Sequence, residues 1–425
     1  MQRICRWFWI SLLFCAACGK PSKAPIPRLT LFGLSLEAAA QLREDALEEF
    51  TRNTGIEVEP IPTLGTSDEQ LKLISGIMER QASEPDVFVM DVTWPGGMHK
   101  HLLDLGAYPE DVRRQHLPAL IDNNTVGQRL VALPFYVNAG VLFYRADLLK
   151  AYGYSGPPAT WNDLDRMALR IQQGERKKTG KPFWGLIWQG AEYEGLTCNA
   201  LEWQKSFGGG SVIEPDGTVS VNNQSTAAAL TAAVKRVNFI SPPSVLSYME
   251  TDTLSVFRAG SAAFMRYWSS GFRSATQVSV GQAGMALLPA GPGGRAQTLG
   301  GFQLGVSRYT KRPREAASLV LYLTGGDVQK RRAMRRGYVP TRPDLYNDPD
   351  VLNALPQLKV LQEITPASWV LRPSTIAGDK YGEVSRAYSE TVHRILAKTT
   401  KPEPALQELE QKLRGVTQGK GSARN

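Results

Sequence analysis

Large aromatic residues stand beside glycine, proline or polar groups, in stretches that read as loops and strand ends: Trp94, Tyr136, Trp188, Tyr193, Trp268, Phe302, Tyr338 and Trp369. A flat ring in such a place can cover the apolar C–H face of a pyranose, while the sugar hydroxyls take Asp, Asn, Gln, Glu or Arg as hydrogen-bond partners. Taken singly, each of these rings reads better as a hydrophobic-core residue than as a site residue.

Motifs for catalysis are sparse. The sequence has no Walker A loop, no G-x-S-x-G elbow and no H-E-x-x-H. His99 and His101 alternate around Lys100 without a third ligand nearby, so no metal site and no cofactor is expected. Cys198 has no neighbouring His and reads as a small buried hydrophobe rather than a nucleophile. Carboxylates are plentiful, and counting alone leaves room for a glycoside hydrolase that would use Asp91 with Glu192 or Glu194.

The elements that must position these residues alternate between helical and strand patterns. Ala39, Leu42, Ala46, Leu47 and Phe50 lie at helical spacing and stop at Asn53-Thr54-Gly55, after which Ile56, Val58 and Pro60 alternate with acids. Ser67 to Gln70 has the capping-box spacing for a helix that continues through Leu71, Ile74, Ile77 and Met78. Asp86 to Asp91 is a short apolar run bounded by acids, as a buried strand would be. Strand, helix, strand, helix, strand implies a mostly parallel sheet, with ligands beyond the carboxyl ends of the strands, where Asp91 and Trp94 would sit. Further on, Thr160 caps a helix expected to end at Gly174, a second helix runs from Thr226 to Val237, and Asp216-Gly217 marks a hairpin. Ala132 to Asn138 and Leu288 to Gly301 look like crossings between lobes.

Composition is that of a globular protein of 425 residues, with 42% hydrophobic and 21% charged residues, long enough for more than one core. Four Cys and four His exclude a disulfide-stapled scaffold and a Cys-rich zinc module. Trp7 to Ala17 is an uncharged apolar run behind Arg3 and Arg6, too short to span a bilayer and suited to a secretory signal over residues 1–17. Cys15-Ala16-Ala17-Cys18 resembles a lipoprotein cleavage site, which makes Cys18 the expected lipid attachment point, with residues 18–27 as a tether. The chain is basic, but its positive residues are dispersed apart from Lys330, Arg331, Arg332, Arg335 and Arg336, which read as a solvated helix face. No nucleic-acid motif accompanies them. Residues 417–425 read as a disordered tail.

Several segments in order carry a family resemblance: Pro85 to Trp94, Ala132 to Arg145, Pro157 to Trp161, Trp188 to Leu196, Phe257 to Trp268 and Thr298 to Phe302. Together they resemble the family 1 extracellular solute-binding proteins of sugar ABC transporters, and the trehalose/maltose-binding branch in particular. The resemblance implies a type II periplasmic-binding-protein-like α/β fold with a ligand cleft between two lobes, about 28–135 plus 300–340 and about 136–299 plus 341–416. It implies a monomeric, extracytoplasmic lipoprotein that captures a disaccharide or short oligosaccharide by hinge closure and hands it to a membrane permease. Carried over position by position, it assigns ligand contacts to Asp91, Tyr136, Trp268, Gly300, Gly301, Phe302 and Arg372, with Trp94, Glu192, Tyr338 and Glu37 as further candidates. Two positions depart from the branch: Asn138 stands where relatives carry aspartate, and Phe302 where trehalose binders carry tryptophan.

Overall fold

The computed structural model describes residues 27–64, 67–108 and 111–418, so the expected signal, Cys18 and nearly all of the tether and tail lie outside the described residues. The strands are β1 (Arg28–Leu34), β2 (Glu57–Pro62), β3 (Val87–Asp91), β4 (Thr125–Val126), β5 (Arg129–Leu130), β6 (Leu133–Arg145), β7 (Trp184–Ile187), β8 (Ala262–Trp268), β9 (Ala283–Leu287), β10 (Gln297–Val306) and β11 (Trp369–Val370). Nine of them form one sheet in the order β2-β1-β3-β10-β6-β8-β7, with β11 beside β10 and β9 beside β6; β4 and β5 pair separately.

The first unit forms as its pattern requires. Ser35 caps the first helix by accepting from the Ala38 amide, and Gly55, at φ 72°, ends it in the left-handed conformation that favours glycine. β1 then pairs parallel with β2 and β3. The helix from Leu36 to Thr54 contains one feature no periodicity announces, a π turn over Arg43–Leu47 that buries Asp45.

β6 carries the chain between lobes. Leu133 to Ala139 pair antiparallel with β10, while Gly140 to Arg145 pair with β8 and β9, so one continuous strand belongs to both halves of the sheet. One hydrophobic core gathers Leu31, Phe50, Val89, Phe135, Leu304 and Leu319; another gathers Leu164, Leu186, Trp188, Leu201, Phe264 and Tyr388. Val137, Ala139, Leu299, Val339 and Leu358 cluster between these two. The second crossing is narrower than its sequence signal. Leu288 to Ala296 forms a turn in which Gly291 and Gly293 approach the backbone of Ser206 and Gly208, and the strand that spans the lobes begins at Gln297.

Two helices differ from expectation. The helix capped by Thr160 continues past Gly174 to Thr179 and ends at Gly180, because Gly174 serves packing rather than termination: a Cβ there would lie 2.1 Å from the Tyr152 hydroxyl. The basic helix Gly326–Arg336 is not a solvated face. Lys330 pairs with Asp348 at 2.7 Å and Asp350 at 2.8 Å, Arg331 with Glu49, and Arg336 with Asp45 at 2.9 Å and Glu44 at 2.6 Å. The π turn presents Glu44 and Asp45, and Arg332 is buried beneath Phe135 and Tyr338.

Candidate functional site

Three strands set the site in one row. β3 ends at Asp91, which is in register with Phe302 on β10, and Phe302 is in register with Tyr136 on β6. Strand alternation puts Asn138, paired with Gly300, and Gly140, paired with Trp268 of β8, on the same face as Tyr136. Two glycines make the row possible. Gly301 has φ 122°, and a Cβ would meet the Tyr136 carbonyl oxygen at 2.2 Å; a Cβ on Gly300 would meet the Trp268 ring at 2.8 Å.

The row opens into a cavity of about 460 Å³ between the lobes, lined among others by Asp91, Asn138, Gly301, Phe302, Trp268, Tyr193, Glu194, Glu250, Cys198 and Arg372. Asp91 is half-buried, and its Oδ1 accepts from the Thr93 amide at 2.9 Å and hydroxyl at 2.7 Å. Arg372 is buried; it donates to Glu194 at 2.7 Å and to the Leu299 carbonyl at 3.2 Å, and approaches Asp91 at 3.6 Å. Its Nε is buried without a partner among the described residues. Burial opposes the Arg372 charge, but the carboxylates of Asp91 and Glu194 and the other acidic groups around it outweigh that and hold its pKa well above the ordinary value. Glu194 also accepts from the hydroxyls of Tyr381 and Ser385. Burial pushes the Cys198 thiol up to about 12, which leaves it protonated and poorly nucleophilic.

Trp268 is held on several sides. Its Nε1 donates to Glu250 at 3.2 Å, and the Arg266 guanidinium stands over its ring at 4.3 Å, itself buried in a 2.5 Å pair with Glu202. Asn138 accepts from the Ser270 amide at 3.0 Å. Tyr136 stacks on Phe302 with centroids 5.3 Å apart and meets Tyr338 at 4.7 Å, so these two tyrosines support the wall that Phe302 presents without themselves lining the cavity.

The other sequence candidates fall elsewhere. Trp94 is a core residue, 4% exposed, packed with Phe32, Met78 and Leu102. Glu192 is exposed and faces His393 at 3.8 Å. Glu37 is exposed on the first turn of its helix and accepts from Gln41. None of the three lines the cavity. His99 and His101 bond to the Gly96 carbonyl and to Tyr309, and among the described residues no cluster could hold a metal ion. Sequence reasoning missed Glu250 altogether and ranked Glu194 only as a hydrolase carboxylate. The fold, not a local motif, brings these two helix starts to the cavity.

A larger cavity, about 920 Å³, shares Asn138 and Arg372 with the first, and much of its remaining lining is apolar, including Leu120, Leu299, Leu361, Trp369 and Leu371. The indole, the carboxylates and the guanidinium converge at the smaller one, so the smaller one is the candidate site. The helix Pro95–Met98 meets Ser374 to Lys380 so closely that a Cβ on Gly96 would lie 2.7 Å from the Ser374 carbonyl oxygen.

Comparison with known proteins agrees with this fold. A probable ABC transporter-binding protein of Deinococcus radiodurans is 45% identical over 380 residues, covering 88% of this chain and 90% of the relative. The maltose-bound structure of T. maritima MalE3 superposes with a TM-score of 0.82 at 34% identity, over 92% of this chain and 99% of that one. An Agrobacterium vitis solute-binding protein with bound D-mannitol, 19% identical, shares the fold with a TM-score of 0.74 over 94% of this chain and all of its own length. The profile of the bacterial extracellular solute-binding proteins matches residues 34–330, and the chain belongs to that family.

Proposed function

We propose that this protein is the sugar receptor of an ABC transporter: it binds a disaccharide or short oligosaccharide of the maltose or trehalose type between its lobes and delivers it to the permease. The observation that carries the reading is the meeting, in one cavity of about 460 Å³, of the Trp268 ring with the Asp91 carboxylate and the partly unsatisfied guanidinium of Arg372. That is an apolar face beside hydroxyl acceptors and a bidentate-capable donor, which is what a pyranose demands. The lobes, about 28–135 plus 300–340 and about 136–299 plus 341–416, close on the ligand by a hinge in the crossing strands. The receptor is monomeric and stands outside the cytoplasmic membrane, tethered through lipidated Cys18.

Hydrolysis is disfavoured by the engagement of the carboxylates. Glu194 already accepts from Arg372, Tyr381 and Ser385, and Glu192 points away from the cavity. A thermal-shift screen over maltose, trehalose, sucrose and mannitol tests the proposal, since a ligand that binds only the folded state raises its apparent stability. Stabilisation by a disaccharide that chromatography recovers intact supports it. No stabilisation by any sugar, or release of monosaccharide, overturns it.

A further inference from the structure

We infer that Glu250 is a positioning residue that locks two aromatic walls of the cavity, Trp268 and Tyr193, into a rigid slot for a cyclic sugar; this rests on the sugar-binding reading above. Glu250 begins the helix Glu250–Arg258, and its carboxylate lines the cavity. One oxygen accepts from Trp268 Nε1 at 3.2 Å and the other from the Tyr193 hydroxyl at 2.6 Å. The two rings come from different elements, one at the end of β8 and one just before the helix Glu194–Ser206, and among the described residues Glu250 is the acidic side chain that joins them.

The rest of the surroundings leaves these rings little choice. Arg266 stands over Trp268, and Gly300 lets the indole lie against β10. Tyr193 folds over Gly195, where a Cβ would lie 2.2 Å from the phenol oxygen. Burial, reinforced by the Glu250 carboxylate, raises the Tyr193 pKa and keeps its hydroxyl a donor to Glu250. With both donors consumed by one carboxylate, the rings offer the ligand faces rather than hydrogen bonds. Hydroxyl recognition is left to Asp91 and Arg372. A flat slot fixed in advance favours a pyranose, which presents a ready-made apolar face, over an open-chain polyol, which must be ordered to form one.

Calorimetry with maltose, trehalose and mannitol on the wild type, Glu250→Ala, Glu250→Gln, Tyr193→Phe and the Glu250→Ala/Tyr193→Phe double variant tests this. Removing a charge-assisted hub should weaken disaccharide binding by about tenfold or more. Glu250→Gln, whose single acceptor oxygen keeps one of the two donors, should recover part of that loss. The double variant should bind much as Glu250→Ala does, because the two changes break the same bond. Selectivity for disaccharide over mannitol should fall in Glu250→Ala. Unchanged disaccharide affinity in Glu250→Ala, equal losses in the Ala and Gln variants, or additive effects of Glu250→Ala and Tyr193→Phe would each overturn the positioning role. If the wild type itself binds none of these sugars, it is the proposed function that fails.

Discussion

The two walls of the cavity are built by different physics. On one side, Trp268, Tyr193, Glu194 and Arg372 are pinned by ionic hydrogen bonds, through Glu250, Glu202–Arg266 and the Arg372–Glu194–Tyr381 chain. On the other, Phe302 rests on Tyr136, which in turn meets Tyr338, with Arg332 stacked behind the two tyrosines, and Asp91 is the acidic side chain that lines the cavity there. Directional bonds fix a ring's plane before ligand arrives, whereas stacked rings tolerate small slides at little cost. On the proposed reading the pinned wall is therefore the template and the stacked wall the cover that closes on it. Arg372, which reaches Glu194 on the first and Asp91 on the second, joins them.

The strongest way to break this contrast is Arg372→Met. It would leave the half-buried Glu194 carboxylate without its cation, at a cost of about 2 to 3 kcal/mol in folding stability, together with loss of sugar binding. Chemical denaturation beside calorimetry would read both. A stable variant that binds normally would show that the pinned wall does not depend on charge.

Next, Trp268→Ala should weaken the best ligand by roughly 2 kcal/mol or more, and Phe302→Ala by about 1 kcal/mol, because the pinned ring is the preorganised one. Equal losses by calorimetry would erase the difference between the walls.

pH separates the walls from the segment beside the crossings. His116, buried against Thr341 at 2.8 Å with Arg342 nearby, has its pKa lowered by burial to about 3. The unfolded chain takes up a proton near pH 6.5 that the folded chain refuses, so this stabilisation is complete above that pH and is lost as pH falls towards 3. The loss runs at up to about 1.4 kcal/mol per pH unit. His116→Gln should flatten the melting temperature over that window, and an unchanged slope would move the acid sensitivity to another group.

The smallest effect is the most informative about specificity. Asn138 spends its acceptor oxygen on the Ser270 amide, with Ser269 at 3.5 Å, leaving its NH₂ for the cavity. Asn138→Asp replaces that donor by an acceptor and should shift affinities by about 1 kcal/mol, in opposite directions for different linkages. A uniform shift across a disaccharide panel would count against it.

How much of this was legible beforehand depends on the residue. Asp91 and Trp268 could be found because each ends an apolar strand, and sheets of this kind place ligands beyond strand ends. Trp94 carries the same local signature, yet it is buried among Phe32, Met78 and Leu102, since the turn after β3 aims it at the core. Nothing local distinguishes these two tryptophans. The basic run from Lys330 to Arg336 likewise named its charges without naming their partners: for Arg331 and Arg336 a π turn nearly three hundred residues earlier supplies Asp45, and for Lys330 two aspartates follow in the next segment.

By itself the sequence determined what periodicity and turn chemistry can carry: the alternation of helices and strands, the capped start at Thr160, the left-handed stop at Gly55 and the family resemblance written in its ordered segments. Only the tertiary structure decided which side chains meet. Register across β3, β10 and β6 puts Asp91, Phe302 and Tyr136 in one row, and Gly300 and Gly301 allow the close approach that brings Trp268 and Asn138 beside them. Glu250 reaches Trp268 and Tyr193 only once β8 and two helix starts have been folded together. Local patterns follow from the conformational preferences of a few adjacent residues; a binding site follows from contacts between residues far apart in the chain, whose pairing is settled by burial and register over the whole sheet.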